Sequence, residues 1–442
     1  MDISVIGLGK LGLCTAACFA ARGHKVVGVD ADAALLAALR RRECPIAESG
    51  LEELLRRAGD NFSCSGDYAA AVAASAVTMI IVPTPSLEDG SFSNAFVLRA
   101  LEQLAPALAG KKEFHVVNVV STVMPGSCAK VFIPLLERLT GKICGQEFGF
   151  VYNPEFIALG SVIRDFLRPD MLLMGVSDAR SAAILREIYA ATVESAPVYA
   201  VMSPLNAELT KLSLNCFVTM KINFANELAA LCEAMPGADV DVVTRAVGSD
   251  SRVGSKYLTG GLGFGGPCFP RDNLAMSALG RLAGHEWKLA PLVLEQNKAV
   301  PERIFNRLRA RLSPGGPVAL FGVSYKQDTP VVEESQGLRL AGLLARAGYA
   351  VRLHDPLALD TARAVMGDGD GGGVSYHSSP YTAAHGARAI ALLADWAQFA
   401  AYDWARLEQE AAPDALLFDS WRRLRDREFK RLVYCPLGLG EE

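Results

Sequence analysis

The sequence has no surplus of basic residues. Across 442 residues, 44 Lys and Arg stand against 48 Asp and Glu, a formal net charge of −4. Nucleic acid needs a basic face, so this balance argues against it as a partner. A local cationic pocket for an anionic small molecule is still allowed. No apolar run reaches the length of a membrane span, and no membrane partner is expected. Asp2 stands where a secretory signal would carry a basic stretch, which argues against a signal peptide. There are ten cysteines but no Cys-x-x-Cys pair. Disulfide frameworks belong to small secreted chains, so reduced thiols in a cytoplasmic protein are expected. Most of these cysteines read as core fillers, with no metal ligand set among them. No short-period repeat is present.

What is there fits a globular protein of two or three domains: 51% apolar and 21% charged residues. "DISVIGLGKLG" is a β-branched run that turns on glycines. "LCTAACFAARG" has the small residues of a helix packed closely on a sheet and ended by Gly23, and "HKVVGVD" is a second strand. "VTMIIVPTP" (77–85) and "FHVVNVVST" (114–122) read as parallel strands buried on both faces. Strand–helix alternation continues to about residue 200. From 203 to 235 one helical pattern runs without internal Gly or Pro after Pro204, with Ser203 able to cap it. Such a length suits a bridge between domains or an oligomer interface. "SPGGP" (313–317) is a linker, and four further strand units follow, beginning with "VALFGVSYK". The Gly-rich stretch 367–373 reads as a flexible surface loop. The expectation is α/β: two Rossmann-like doubly wound domains, 1–200 and 313–442, joined by a helical middle, 201–312, that starts with the long helix.

Four motifs carry chemistry. Gly7-x-Gly9-x-x-Gly12 follows a strand and opens a helix, with Asp30 at the end of the next strand. The glycines let a pyrophosphate approach the helix N-terminus, and Asp30 would accept from the adenosine ribose and repel a 2′-phosphate. NAD is the expected cofactor. "NPEFIALG" (153–160) places Glu155 in a loop after the strand "FGFVY", as a general base or as a plain solvated carboxylate. Lys211 and Asn215 share one helix face, either as oxyanion donors or as a surface pair. "GFGGPCFPRDN" (263–273) holds Cys268 among glycines and prolines, with Asp272 one turn on. A lone cysteine is more often core than nucleophile, and only the company of the other motifs changes that.

Together, "VIGLGKLGL", "VPTPSLEDGS", "STVMPGS", "NPEF", "ELTKLSLNCF", "GFGGPCFPRD", "GVSYKQDT" and "HDP", in this order over nearly the whole chain, resemble the UDP-glucose/GDP-mannose dehydrogenase family of nucleotide-sugar dehydrogenases. The resemblance implies oxidation of a sugar C6 alcohol to a carboxylate with NAD+ used twice. UDP-glucose to UDP-glucuronate is the leading substrate and product. GDP-mannose or a UDP-N-acetylhexosamine stays open, and a noncatalytic nucleotide-sugar-binding regulator is the alternative of a different class. By resemblance, Cys268 forms a thiohemiacetal and then a thioester, Asp272 assists proton transfer or water activation, and Lys211 and Asn215 stabilise the alkoxide. Glu155 and Thr122 match further active-site positions. Gly7, Gly9, Leu11, Gly12, Asp30, Thr84 and Thr122 match the cofactor site. Glu155, Phe156, Lys211, Asn215, Arg252, Tyr257, Phe264, Gly265 and Lys326 match the substrate site. Arg252 matches an arginine that reaches the sugar site of a second subunit, so a homodimer or higher homo-oligomer is implied.

The chain departs from the family pattern in places. Leu159 in "ALG" stands where relatives place an acid. Val331 and Glu333 in "PVVEES" replace an Asp and an Arg. Trp421 in "FDSWRR" sits near an expected arginine, with Arg422 beside it. "GGPCFPRD" stands for the commoner "GGSCFPKD".

Overall fold

The computed structural model describes residues 1–367 and 373–440. The sequence-predicted flexible loop at 367–373 therefore falls largely outside the described residues. The chain divides into two compact units, Met1–Ser213 and Leu214–Glu442.

The first unit is built on eight strands: β1 (Asp2–Ile6), β2 (Lys25–Val29), β3 (Phe62–Ser65), β4 (Val77–Ile80), β5 (His115–Val119), β6 (Phe148–Tyr152), β7 (Met171–Val176) and β8 (Val198–Met202). Their order is β3-β2-β1-β4-β5-β6-β7-β8. Strands β4, β5 and β6 are buried at every residue, as apolar runs covered by helices on both faces must be. One apolar cluster, including Phe19, Phe166 and Tyr189, lies on one side of the sheet, and another, including Leu101, Phe132 and Phe150, on the other. Helix Lys10–Ala21 is buried from Gly12 to Ala20. Its Cys14 and Cys18 are core residues whose thiols burial pushes up, Cys14 to about 12.

The parallel pattern has one reversal. β7 runs antiparallel to β6, with Tyr152 opposite Gly175. The chain between these strands holds only the short helix Val162–Leu167. β1 lies between β2 and β4, so the sheet changes direction of winding there, and ligand crevices of such sheets open at the strand C-termini beside that point.

Helix Pro204–Glu233, 30 residues, passes through the unit boundary. Ser203 Oγ accepts from Asn206 N at 3.4 Å and Pro204 is its first residue, as the sequence predicts. In the second unit, Phe217, Phe224 and Leu231 of this helix are exposed at seven-residue spacing. Helices Val240–Ser249, Phe269–Leu282 and Leu289–Arg311 follow. The second sheet comprises β9 (Pro317–Phe321), β10 (Ala350–His354), β11 (Val374–Tyr376), β12 (Ala389–Leu392), β13 (Ala415–Asp419) and β14 (Leu432–Pro436). All neighbours are parallel, in the order β11-β10-β9-β12-β13-β14.

The two sheets repeat one device. After β1, Gly7 has φ +92° and donates to Val29 O at 2.8 Å; after β9, Gly322 has φ +93° and donates to His354 O at 2.8 Å. An acid ends the second strand of each pair, Asp30 and Asp355. Asp355 is buried and filled: Oδ2 accepts from Val323 N, Ser324 N and Ser324 Oγ, and Oδ1 from Leu357 N and Ala358 N.

Candidate active site

The turn after β1 is shaped for an anion. A Cβ on Gly12 would lie 1.8 Å from Gly7 O, so the helix can start this close to the strand only with glycine there. Gly9 caps helix Lys10–Ala21 without a side-chain hydrogen bond, and a Cβ built on it would meet open space. The first helical N–H groups are thus left for an incoming group. Leu11 offers its backbone there, while its side chain packs into the apolar cluster behind. Asp30 Oδ2 accepts from Leu8 N at 2.7 Å and Oδ1 from Asp32 N at 2.9 Å. Each oxygen keeps a second lone pair for a ribose hydroxyl. These residues fit a dinucleotide. At the ends of β4 and β5, Thr84 Oγ1 donates to Thr122 O at 2.7 Å, which ties the two loops carrying those residues.

The loop after β6 is pinned before it reaches Glu155. Asn153 is buried, and its Nδ2 donates to Leu173 O at 2.9 Å. Its Oδ1 accepts from the Tyr189 hydroxyl at 2.5 Å. Beyond Pro154, the Glu155 carbonyl accepts from Lys211 Nζ at 2.6 Å, and that ammonium sits 4.5 Å from the centre of the Phe156 ring. Lys211 is 7% exposed. Glu155 Oε1 is sealed from solvent and accepts no hydrogen bond among the described residues. Burial pushes the Glu155 carboxyl up to about 7, against the opposing pull of the Lys211 charge and the Tyr189 hydroxyl. The bland reading of a solvated loop carboxylate is therefore set aside. Leu159 packs against the apolar cluster of helix Lys10–Ala21.

In the second unit the cysteine loop joins an exposed sulfur to a buried carboxylate. Cys268 is exposed and caps helix Phe269–Leu282. The positive end of the helix dipole favours negative charge placed there. Asp272, 1% exposed, donates its N–H to Cys268 O at 2.8 Å. Its Oδ2 accepts from Asn215 Nδ2 at 2.6 Å. Its Oδ1 lies 3.5 Å from Arg271 Nε and accepts no hydrogen bond among the described residues. The Lys211–Asn215 surface-pair reading fails on burial alone, since Asn215 is 6% exposed.

The loop before Cys268 is held from behind. Phe264 is buried, with its N–H donating to Asn297 Oδ1 at 2.8 Å and its carbonyl accepting from Asn297 Nδ2 at 2.9 Å. A Cβ on Gly265 would lie 2.6 Å from Glu334 O. Gly266 N donates to Glu333 O at 2.8 Å, and Tyr325 N to Val331 O at 3.0 Å. The departures at 331 and 333 thus keep a role for their backbone carbonyls, which any side chain supplies, while the Glu333 side chain is exposed. Lys326 is half-buried in the same segment. Tyr257, half exposed, has φ +67°. Arg252 is exposed and paired within its own loop to Asp250, at 2.9 and 2.7 Å. Arg422 cannot stand in for an arginine at 421. Its guanidinium is spent on Asp241 and on the carbonyls of Ser420, Leu437, Thr259 and Gly260.

Sequence reasoning missed the supporting residues. Glu208 is fully buried on the face of the long helix that carries Lys211, and accepts from Gly126 N at 2.6 Å and Cys128 N at 2.8 Å. Glu48 accepts from Gly160 N and Val162 N and pairs with Lys10 at 3.1 Å. An acid one turn before Lys211 was the visible signal for the first. Nothing local marks the second.

Three family models match the chain in order. They are the NAD binding domain (residues 1–193), the central domain (205–299) and the UDP binding domain (319–426) of the UDP-glucose/GDP-mannose dehydrogenase family. The UDP-glucose 6-dehydrogenase AglM of Haloferax volcanii is 36% identical over 97% of this chain and 98% of its own. The UDP-glucose 6-dehydrogenase of Pseudomonas aeruginosa is 35% identical over 100% of this chain and 97% of its own. A UDP-glucose dehydrogenase structure from Pyrobaculum islandicum superposes with a TM-score of 0.87 at 34% identity, covering 99% of this chain and 98% of that one.

Proposed function

The chain belongs to the UDP-glucose/GDP-mannose dehydrogenase family, and from that premise we propose that it oxidises the C6 alcohol of UDP-glucose to the carboxylate of UDP-glucuronate. The observation that carries the reading is Cys268 exposed at a helix start, one turn before a buried Asp272 whose Oδ1 accepts no hydrogen bond among the described residues. A nucleophile and an acceptor for a water proton are what a two-stage oxidation of an alcohol requires.

Gly7, Gly9, Leu11, Gly12, Asp30, Thr84 and Thr122 would hold NAD+, which when bound would supply the hydride acceptor for each stage. Glu155 takes the C6 hydroxyl proton as the first hydride leaves, giving the aldehyde. The Cys268 thiolate adds to the aldehyde carbon, and Lys211 with Asn215 favours the resulting oxyanion. Loss of the second hydride leaves a thioester. Asp272 receives a proton from water as that water attacks the thioester carbon. The Cys268 thiolate then departs, and the acid is released. Phe156, Tyr257, Phe264, Gly265 and Lys326 hold the nucleotide-sugar handle, whose remote binding energy positions C6. A second copy of the chain covers the exposed face of Phe217, Phe224 and Leu231 and receives Arg252. Reduced thiols and dependence on NAD suit a cytoplasmic location.

The test is NADH formation from a panel of UDP-glucose, GDP-mannose and UDP-N-acetylhexosamines. Two NADH per UDP-glucose supports the proposal. One NADH per sugar sinks the thioester route, and preference for another sugar reassigns the substrate.

A further inference from the structure

We propose that Tyr189, acting through Asn153, is a positioning residue that sets the direction of the Glu155 carboxylate. The inference rests on the reading of Glu155 as the first-stage proton acceptor.

Asn153 is two residues before Glu155, and rigid Pro154 lies between them. The N–H and both side-chain polar atoms of Asn153 have partners in the body of the first unit. Its N–H donates to Val119 O at 2.9 Å and its Nδ2 to Leu173 O at 2.9 Å. Its Oδ1 accepts from the Tyr189 hydroxyl at 2.5 Å and from Asn118 Nδ2 at 3.5 Å. Asn118, fully buried in β5, also donates to Met79 Sδ at 2.9 Å. A polar chain thus runs through an apolar sheet from β4 to the loop that delivers Glu155. Asn118 Oδ1 accepts no hydrogen bond among the described residues, while the amide and hydroxyl groups that reach Asn153 are all engaged, and engaged buried polar groups favour one geometry.

Tyr189 is the far anchor. It is 1% exposed, with its ring 5.8 Å from Phe19 and 6.1 Å from Phe166, centre to centre. Those rings fix the phenol, and the hydroxyl fixes Asn153. The groups facing Glu155 are Lys211 of the long helix, Tyr189 of helix Ala179–Thr192 and Cys18 of helix Lys10–Ala21. Of these, Tyr189 alone is a neutral donor already engaged with the same loop. Its hydroxyl favours the ionised carboxylate, so its loss raises the pH at which Glu155 gives up its proton.

The experiment compares Tyr189→Phe with the parent enzyme in kcat, both KM values, melting temperature and the pH profile of kcat. Phenylalanine keeps the ring packing and removes one donor. The expected result is a kcat lowered roughly ten- to a hundredfold. Both KM values should stay within about twofold. The acid limb should move up by about one pH unit, with melting lowered by no more than a few degrees. An unmoved limb with unchanged kcat overturns the proposal. So does a fall in kcat that is uniform across pH, since that marks a merely structural role. Glu155→Gln separates the two readings: if the limb survives that change, Glu155 is not the acceptor, whatever Tyr189 does.

Discussion

As the proposed first-stage proton acceptor, Glu155 has to ionise where burial opposes charge, and that conflict is measurable. With its carboxyl pushed up to about 7, turnover should fall tenfold per pH unit below that point, and Glu155→Gln should flatten the limb. The same shift acts on stability. The folded protein holds this proton more tightly than an exposed carboxyl with an ordinary value of 4.5. Its contribution is therefore full below about 4.5 and is lost as pH rises to about 7. Denaturant melts should find Glu155→Gln more stable than the parent at pH 8 and nearly equal to it at pH 4. At Cys268 the expected effect is on chemistry alone. Cys268→Ser keeps a good helix cap, so melting should hold while acid formation falls at least about a thousandfold, read as NADH per sugar.

At the scale of elements, backbone clearances do the work. Gly12→Ala would drive a methyl into Gly7 O, at 1.8 Å, and should weaken NAD binding by at least about tenfold, measured by titration calorimetry, with the sugar site intact. This is also where the limits of the sequence show. The glycine turn was legible because each residue in it has a local reason, as was the long helix between Ser203 and the mid-230s. The reversal between β6 and β7 was not, because it depends on where a loop has room to return. Glu155 and Asp272 were visible as residues, but their chemistry was not. An unbonded Oε1 or Oδ1 is made by neighbours distant in sequence, such as Tyr189 and Asn215. The same holds for Val331 and Glu333, alarming as side chains yet serving Tyr325 and Gly266 through carbonyls that carry no sequence signal.

At the scale of the whole molecule, the exposed row of Phe217, Phe224 and Leu231 on one helix is the face that we propose a second copy covers. Phe224→Glu should shift the mass in solution toward the monomer. If Arg252 serves a second subunit, turnover should fall with it. An unchanged mass would place the interface elsewhere. The repeated device of the two sheets bears on timing. Asp30 keeps lone pairs for a ribose, whereas Asp355 has already given its own to Val323, Ser324, Leu357 and Ala358. Of these two turns, the first is the one whose acid keeps room for a ribose, while the proposed route takes two hydrides from each sugar. On the proposed route, spent cofactor has to depart and fresh cofactor arrive while the half-oxidised sugar waits on Cys268. The lifetime of that covalent bond must therefore outlast one exchange of nucleotide, and a cysteine anchor is the clock that permits the delay.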